Sequence, residues 1–159
     1  MFIGLFVYQA FISLSEFAER KRVYKQALNY ARMVNKPLVV VGGNYGGTSL
    51  LEIFGIPVHG AGDICIDSNP DACKNSNFLQ ADIRNIPLPD HYAGAVFCSH
   101  VLEHLPRRAD AILALRELAR ISDAQFLLVP SKLNLRAWFH AGHKLWIYES
   151  QGQLIIEER

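Results

Sequence analysis

The amino-acid sequence predicts an α/β fold, a doubly wound and mostly parallel sheet with helices on both faces. Short runs of β-branched residues alternate with longer stretches whose apolar residues recur at three- and four-residue intervals. A glycine-rich loop follows the first run, and an aspartate follows each of the next two. Strands that alternate with helices form right-handed crossover units, and ligands bind such sheets beyond the carboxyl ends of the strands.

The predicted elements begin with a helix near the N-terminus. Ser13 and Glu16 form an S-x-x-E capping box that predicts a helix start, and Pro37 ends that helix. Strands are predicted at residues 38–41, 64–66, 78–79, 95–98 and 125–129, and later helices at 48–54, 101–105 and 110–121. Residues 144–149 and 154–158 flank a turn and predict a terminal hairpin, an abbreviated strand pair that could close the sheet.

Length and composition suit one folded domain, since 159 residues with 50% hydrophobic and 19% charged side chains can bury a single core. We divide the chain into an apolar N-terminal segment with an amphipathic helix, residues 1–36, and a main domain, residues 37–159. Residues 1–14 are almost wholly apolar but shorter than the roughly 20 residues that span a bilayer. They are expected either to pack on protein, including a second copy of the chain, or to anchor peripherally on a membrane.

Charge and cysteine usage limit the partners and the compartment. A net charge of +1 gives no concentrated basic face for nucleic acid. Cys65, Cys73 and Cys98 lack C-x-x-C spacing, so we expect reduced thiols in a cytoplasmic protein and no disulfide.

The loop after the first strand, residues 42–47, has the sequence GGNYGG. Glycine and asparagine tolerate positive φ, which lets the backbone approach a ligand closely. Thr48 stands where a triphosphate-binding loop needs lysine, so that ligand is excluded. Asp67 follows the second strand, where a carboxylate can accept hydrogen bonds from ribose hydroxyls. Asp82 follows the third, and the structural alternative for both acids is a helix cap or turn.

The segments VVVGGNYGG, CIDSNP and QADIRNIPLPDHYAGAVFCSHVLEHLP together resemble class I S-adenosylmethionine-dependent methyltransferases of the type 11 group. The resemblance implies a Rossmann-like sheet and S-adenosylmethionine as cofactor. It assigns cofactor binding to Gly42, Asn44, Gly46, Asp67, Ser68, Asp82, Ile83 and Ser99. Two positions depart from the family pattern, because Val40 and Ala93 stand where the family usually has acids.

The expected activity is methyl transfer to a small-molecule, lipid or glycan acceptor. Such a displacement depends mainly on alignment of donor and acceptor, so the sequence assigns no catalytic base. Candidates for the acceptor side are His100, Glu103, His104, His140 and His143. The alternative is a catalytically inactive methyltransferase-like binding or assembly protein, which Val40, Asn44 and Ala93 favour.

Residues 100–104 also spell H-x-x-E-H, an inverted zinc-peptidase motif. On a regular helix, His100 and His104 could ligate zinc and Glu103 could act as a base. The motif directly follows a predicted strand, and Pro106 ends the helix one turn later. We therefore predict no metal and regard a zinc hydrolase as the remote alternative.

Overall fold

The computed structural model describes residues 2–43, 60–73 and 77–159. Its helices are α1 (Phe2–Met33), α2 (Arg108–Ile121) and α3 (Leu135–Phe139), and its strands are β1 (Leu38–Val41), β2 (Ile64–Asp67), β3 (Phe78–Gln80), β4 (Ala93–Ser99), β5 (Ser122–Leu128), β6 (Leu145–Ser150) and β7 (Gln153–Glu158). Two short 3-10 turns cover Pro70–Ala72 and Leu102–His104. The predicted helix at 48–54 lies outside the described residues.

The first five strands form one parallel sheet in the order β3-β2-β1-β4-β5. The chain winds outward from β1 to β3 and then returns to β4 on the other side of β1. Val41 pairs with both Ile66 and Cys98, so β1, β2 and β4 end at nearly the same level. The predicted doubly wound sheet is confirmed, and its order reverses between β1 and β4, where such sheets bind ligands.

The two faces of the sheet bury different residues because successive strand side chains point to opposite sides. Leu38, Val40 and Phe97 pack with Ala27 and Ala31 of α1. The other face buries its side chains against α2 and the C-terminal strands, through the cluster of Val39, Val41, Val96, Cys98, Ala114, Leu118, Ile121, Leu145 and Ile147. Both faces are therefore covered, as a parallel sheet requires.

Helix α1 runs without interruption from Phe2 to Met33, so the predicted helix start at Ser13 is wrong. Glu16 does not cap the helix. It accepts hydrogen bonds from the Ser131 backbone amide at 2.9 Å and from Asn134 Nδ2 at 2.5 Å. Gln9 holds the same segment through the Leu133 carbonyl and the Leu135 amide. Partners distant in the sequence therefore determine what these polar side chains do.

The first turns of α1 expose many large apolar side chains. Exposed members are Ile3, Leu5, Phe6, Val7, Tyr8, Phe11 and Leu14. Within the described part of the chain, no helix is both long enough and apolar enough to cross a membrane.

Strands β6 and β7 form the predicted hairpin, but they make a sheet of their own and do not close the main one. Gln151 and Gly152 both have positive φ, 52° and 75°, as in a type I′ two-residue turn. Leu145 and Ile147 belong to the core cluster on the α2 face. The hairpin covers a face of the domain because its apolar side chains pack there.

Cys65 and Cys73 form a disulfide, so the prediction that both are reduced is wrong. The turn at Pro70–Ala72 reverses the chain and brings the two Cα atoms to 5.8 Å. Cys98 is a free, buried cysteine, and burial raises the pKa of its thiol. The disulfide removes the argument from reduced cysteines on which the cytoplasmic prediction partly rested.

Candidate functional site

A cavity of about 280 Å³, the strand-end cavity, lies beyond the carboxyl ends of β1 and β2. Its wall consists of Val41, Gly42, Ile66, Asp67, Ser68, Ala81, Asp82, Ile83, Arg84, Val101, His104, Leu105 and Pro106. Five of the predicted cofactor residues are thus brought together: Gly42, Asp67, Ser68, Asp82 and Ile83. The predicted residues Asn44 and Gly46 lie outside the described residues. The cavity volume is near the lower end of the range for ligand sites, about 300–1,000 Å³.

Gly42 begins the glycine loop at the centre of this wall. Its φ of 97° is a conformation that side chains rarely allow, and its amide donates to the Ile66 carbonyl at 2.9 Å. A Cβ atom at this position would overlap Cγ2 of Val101. The chain after β4 therefore lies directly against the chain after β1, and only glycine fits between them.

Asp67 is held by the turn that follows β2. Its Oδ1 accepts from the Asn69 amide at 2.8 Å, and Asn69 Oδ1 accepts from the Asp71 amide at 3.0 Å. Gln80 of β3 donates from Nε2 to the Ser68 carbonyl at 3.0 Å. These contacts, together with the Cys65–Cys73 disulfide, fix the backbone that carries Asp67 and Ser68.

Asp82 is engaged by Arg84, a residue that the sequence pattern did not single out. Arg84 donates from Nε to Asp82 Oδ1 at 2.9 Å and from Nη2 to Oδ2 at 2.5 Å. Its Nη1 reaches Asp110 of α2 at 3.0 Å. The hydrogen bonds from Arg84 lower the pKa of Asp82, which keeps this carboxylate ionised. The signal in the sequence that could have identified Arg84 is its position two residues after the candidate acid Asp82.

Two further sheet positions, Val40 and Ser99, bear on the predicted cofactor contacts. Val40 is fully buried in the core between the sheet and α1, where an acid would be desolvated. Ser99 ends β4 and is predicted to contact cofactor, but it does not line the strand-end cavity. Its hydroxyl is buried, and no described residue hydrogen-bonds with it.

Three of the acceptor-side candidates, His104, His140 and His143, pack together as the histidine cluster. Ring centroids are 4.4 Å apart for His140 and His143, 4.8 Å for His104 and His143, and 5.4 Å for His104 and His140. His104 is also part of the wall of the strand-end cavity. Burial lowers the pKa of His143 first of all, and the charges of the other two rings lower it further.

A second cavity of about 470 Å³, the α1-side cavity, lies between α1 and the segment after β5. Arg20 and Glu16 of α1 line one side of it, and His100, His140 and His143 line the other. Burial lowers the pKa of Arg20, and no described residue hydrogen-bonds with its buried Nε. The histidine rings therefore lie between two cavities, since His104 faces the first and its neighbours face the second.

The H-x-x-E-H motif does not form the helix face that a zinc peptidase would need. His100 has a φ of 57°, and only Leu102–His104 form a single 3-10 turn. His100 Nδ1 lies 3.3 Å from Oε1 of Glu103, a carboxylate that is only 1% exposed. His104 instead packs against His140 and His143, more than 30 residues downstream.

Comparison with known proteins agrees with this geometry. Residues 61–125, from before β2 into β5, match the methyltransferase domain family. This matched region is similar to class I methyltransferase domains. The match includes Asp67, Ser68, Asp82, Ile83 and Ser99, but not the glycine loop.

Comparison with solved structures finds similarities at low sequence identity. One is a chain of the Haloferax volcanii complex between the methyltransferase activator Trm112 and a candidate methyltransferase, at 18% identity and a TM-score of 0.37 over 72% of this chain. The present chain covers 55% of that one. Another is the PH0226 protein of Pyrococcus horikoshii, at 16% identity and a TM-score of 0.45, with 89% of this chain and 75% of that one covered. No curated protein sequence matches the chain significantly.

Proposed function

We propose that the chain binds S-adenosylmethionine in the strand-end cavity and transfers its methyl group to a polar acceptor. The observation that carries the proposal is the meeting of Gly42, Asp67, Ser68, Asp82 and Ile83 in one cavity at the carboxyl ends of the strands. Methyltransferases of this family generally use this cofactor. When bound, it would supply an electrophilic methyl group, and the protein would supply alignment and a dry site.

The described residues suit the ribose of the cofactor better than its adenine ring. Asp67 is held at the cavity wall and suits the two ribose hydroxyls, and Gly42 lies in the same wall. Asp82 is already paired with Arg84, so an adenine amino group would compete with a guanidinium for it. Ile83 contributes an apolar wall beside them.

The acceptor is proposed to bind in the α1-side cavity. Arg20 and Arg136 line it together with His100, His140 and His143, which suits an acceptor with a polar or anionic group. The buried Glu103 pairs with the half-buried His100 in the wall of this cavity, and these two residues are the candidates for removing a proton, should the acceptor need it. A small molecule, a glycan or a lipid headgroup would each meet these requirements.

The exposed apolar turns at the start of α1 are proposed to contact a second surface, either another protein chain or a bilayer. Ile3, Phe6, Phe11 and Leu14 are each more than two-thirds exposed, which is a large apolar area to leave in water. A cytoplasmic location, with peripheral membrane contact as an option, stays a prediction.

Calorimetry with S-adenosylmethionine and S-adenosylhomocysteine tests the cofactor proposal. We expect micromolar binding by the parent and about 10- to 100-fold weaker binding by Asp67→Ala, since a hydrogen bond to a charged group contributes about 1.5–3 kcal/mol. Asp71→Ala is the matched control, because Asp71 is exposed in the next turn and does not line the cavity. Absence of binding by the parent, or equal binding by folded Asp67→Ala, would contradict the proposal.

The pairing of Asp82 with Arg84 favours the second candidate, a methyltransferase-like binding protein without catalysis. The two candidates differ in whether bound cofactor gives up its methyl group. Incubation with labelled S-adenosylmethionine and a fractionated cell extract should transfer label to an extract component if the chain is an enzyme. Cofactor binding without transfer, across polar, lipid and glycan fractions, would support the inactive alternative.

A further inference from the structure

The histidine cluster has the composition of a metal site. His104, His140 and His143 offer ligand nitrogens that all lie within 4.8 Å of one another. They come from two separate parts of the chain, the turn after β4 and the segment between α3 and β6. We propose that these three residues bind one divalent transition-metal ion of the zinc class.

The hydrogen bonds of two rings already suit metal ligation. His104 Nδ1 lies 3.1 Å from the Gly142 carbonyl oxygen, and His143 Nδ1 lies 3.1 Å from the Ala137 carbonyl oxygen. Because carbonyl oxygens only accept, each Nδ1 carries the proton and each Nε2 keeps a lone pair. Metal-binding histidines are oriented in this way, with the second ring nitrogen donating to a carbonyl or carboxylate.

Gly142 organises the cluster from its centre. Its amide donates to His140 Nδ1 at 3.1 Å, while its carbonyl accepts from His104. A Cβ atom there would lie 2.9 Å from His140 Cε1 and 3.2 Å from His104 Nδ1, so a larger residue would push both rings away. The lone pair of His140 Nδ1 accepts the hydrogen bond from the Gly142 amide. His140 must therefore give up this hydrogen bond when it binds a metal.

The histidine nitrogens lie somewhat farther apart than the nitrogens that bind one zinc ion. Two nitrogens bound to one tetrahedral zinc at about 2.0–2.1 Å lie roughly 3.3 Å apart. The ligand atoms must therefore approach by up to about 1.5 Å, which ring rotation can supply for the exposed His104 and His140.

The donor set selects the class of metal. Three neutral imidazoles suit zinc, cobalt, nickel and copper, whereas magnesium and calcium need oxygen ligands. Three protein ligands leave a coordination position for water or another small ligand. The set differs from the H-x-x-E-H motif, since it shares His104 but uses neither His100 nor a regular helix.

Titration of untagged parent protein with zinc chloride against a competing chelator tests the proposal, with no methyl donor present. We expect one zinc per chain and at least tenfold weaker binding by His104→Ala, His140→Ala and His143→Ala. His91→Ala is the matched control, because His91 is an exposed histidine on Asp123, away from the cluster. Cobalt in place of zinc should give the intense visible absorption of four-coordinate cobalt.

Three results would overturn the proposal. One is no zinc binding by the parent at micromolar protein. Another is equal weakening by His91→Ala, which indicates binding by scattered surface histidines. The third is loss of binding in His100→Ala with full binding in His140→Ala, which would assign the metal to the H-x-x-E-H pair. His140 is exposed, so His140→Ala remains informative if the half-buried His143 variant unfolds. S-adenosylmethionine binding is measured separately, so this proposal and the proposed function can fail independently.

Discussion

Gly42 is the residue at which two steric constraints meet. Its φ of 97° excludes an ordinary side chain, and Val101 occupies the space where a Cβ atom would lie. The same glycine lies in the wall of the strand-end cavity. Stability and ligand access are therefore linked at this one position.

We predict that Gly42→Ala lowers the free energy of unfolding by about 2–4 kcal/mol, the sum of backbone strain and overpacking. It should also weaken S-adenosylmethionine binding, because Val101 must move within the cavity wall. Chemical denaturation and calorimetry measure the two effects. Gly152→Ala is the control for strain alone, since Gly152 has a φ of 75° with no neighbour within 4 Å of the added atom. Equal losses in the two variants would show that contact with Val101 is unimportant.

Arg84 joins two acids, Asp82 on the cavity wall and Asp110 at the start of α2. Hydrogen bonds from Arg84 lower the pKa of Asp82, and those from Arg107 and then Arg84 lower the pKa of Asp110. A depressed folded-state pKa stabilises the protein above the unfolded-state value and loses that effect as pH falls through the folded-state value.

We predict that the titration of Asp82 and Asp110 does not change the free energy of unfolding above about pH 5. Below about pH 4, the unfolded-state pKa of aspartate, the free energy of unfolding should decline. Arg84→Gln should lower stability at neutral pH and make the acid decline shallower. Denaturation midpoints between acid and neutral pH measure both. Lys25→Gln removes one exposed positive charge from α1 and should leave the slope unchanged. If the stability of the parent and of Arg84→Gln falls with the same slope at acid pH, Arg84 does not lower the pKa values of these two acids.

The turn after β2 is the element that carries the proposed ribose contacts. The Cys65–Cys73 disulfide closes it over a sequence separation of 8, and Gly43 packs against Ala72 within it. A crosslink over so short a loop stabilises mainly by restricting the unfolded chain, by about 2–3 kcal/mol.

We predict that Cys73→Ala lowers the free energy of unfolding by about 2–3 kcal/mol without reductant and also weakens cofactor binding, because Asp67 and Ser68 lose their fixed backbone. Reductant should lower the parent to the level of the variant and leave the variant unchanged. Denaturant titrations with and without reductant measure this. If reductant affects parent and variant equally, the disulfide does not stabilise the folded chain.

At the scale of the whole molecule, α1 joins the sheet to the segment that carries the histidines. Its C-terminal half packs on β1, β4 and β5 through Val23, Ala27 and Ala31. Its N-terminal half holds residues 131–135 through Gln9 and Glu16. Only its first turns extend beyond these contacts, and residues 3–8 are all exposed.

We predict that deletion of residues 1–8 leaves the domain folded, because Gln9, Ile12 and Glu16 remain. Association should decrease, either with a second chain or with a bilayer surface. Light scattering detects the first, and flotation with anionic liposomes detects the second. Membrane binding should weaken with salt, because the exposed Lys21 and Arg22 would add electrostatic attraction.

Deletion of residues 1–14 is the comparison, since it also removes Gln9 and the buried Ile12. We expect this longer deletion to keep the sheet folded but to loosen the segment at 131–135. If the shorter deletion already melts much lower as a monomer, the first turns belong to the domain's own core and both association interpretations fail.

The pattern of the sequence was sufficient for the strands of the doubly wound sheet and for five residues of the strand-end cavity. Both depend on local properties, the two-residue period of buried strands and the polar residues that come after each one. The turn at residues 151–152 was predictable for the same reason, because its glycine is a local requirement.

Contacts between distant residues were not predictable in this way. Glu16 matched a local capping motif, yet its partner Asn134 lies 118 residues away. Arg84 and Asp110, Cys65 and Cys73, and the three clustered histidines likewise meet only after the chain folds. The sequence offers each polar side chain several possible partners. The packing of α1, α2 and the hairpin determines which of them comes into contact.

The sequence by itself determined the doubly wound sheet and the side chains presented at its carboxyl edge, because periodicity and turn residues act over a few positions. The tertiary structure decided that Arg84 occupies Asp82, that two cysteines pair, and that His104 joins His140 and His143. The physical reason is that hydrogen bonds, disulfides and metal ligation need atoms within a few ångströms, and only the packed chain fixes which atoms come that close.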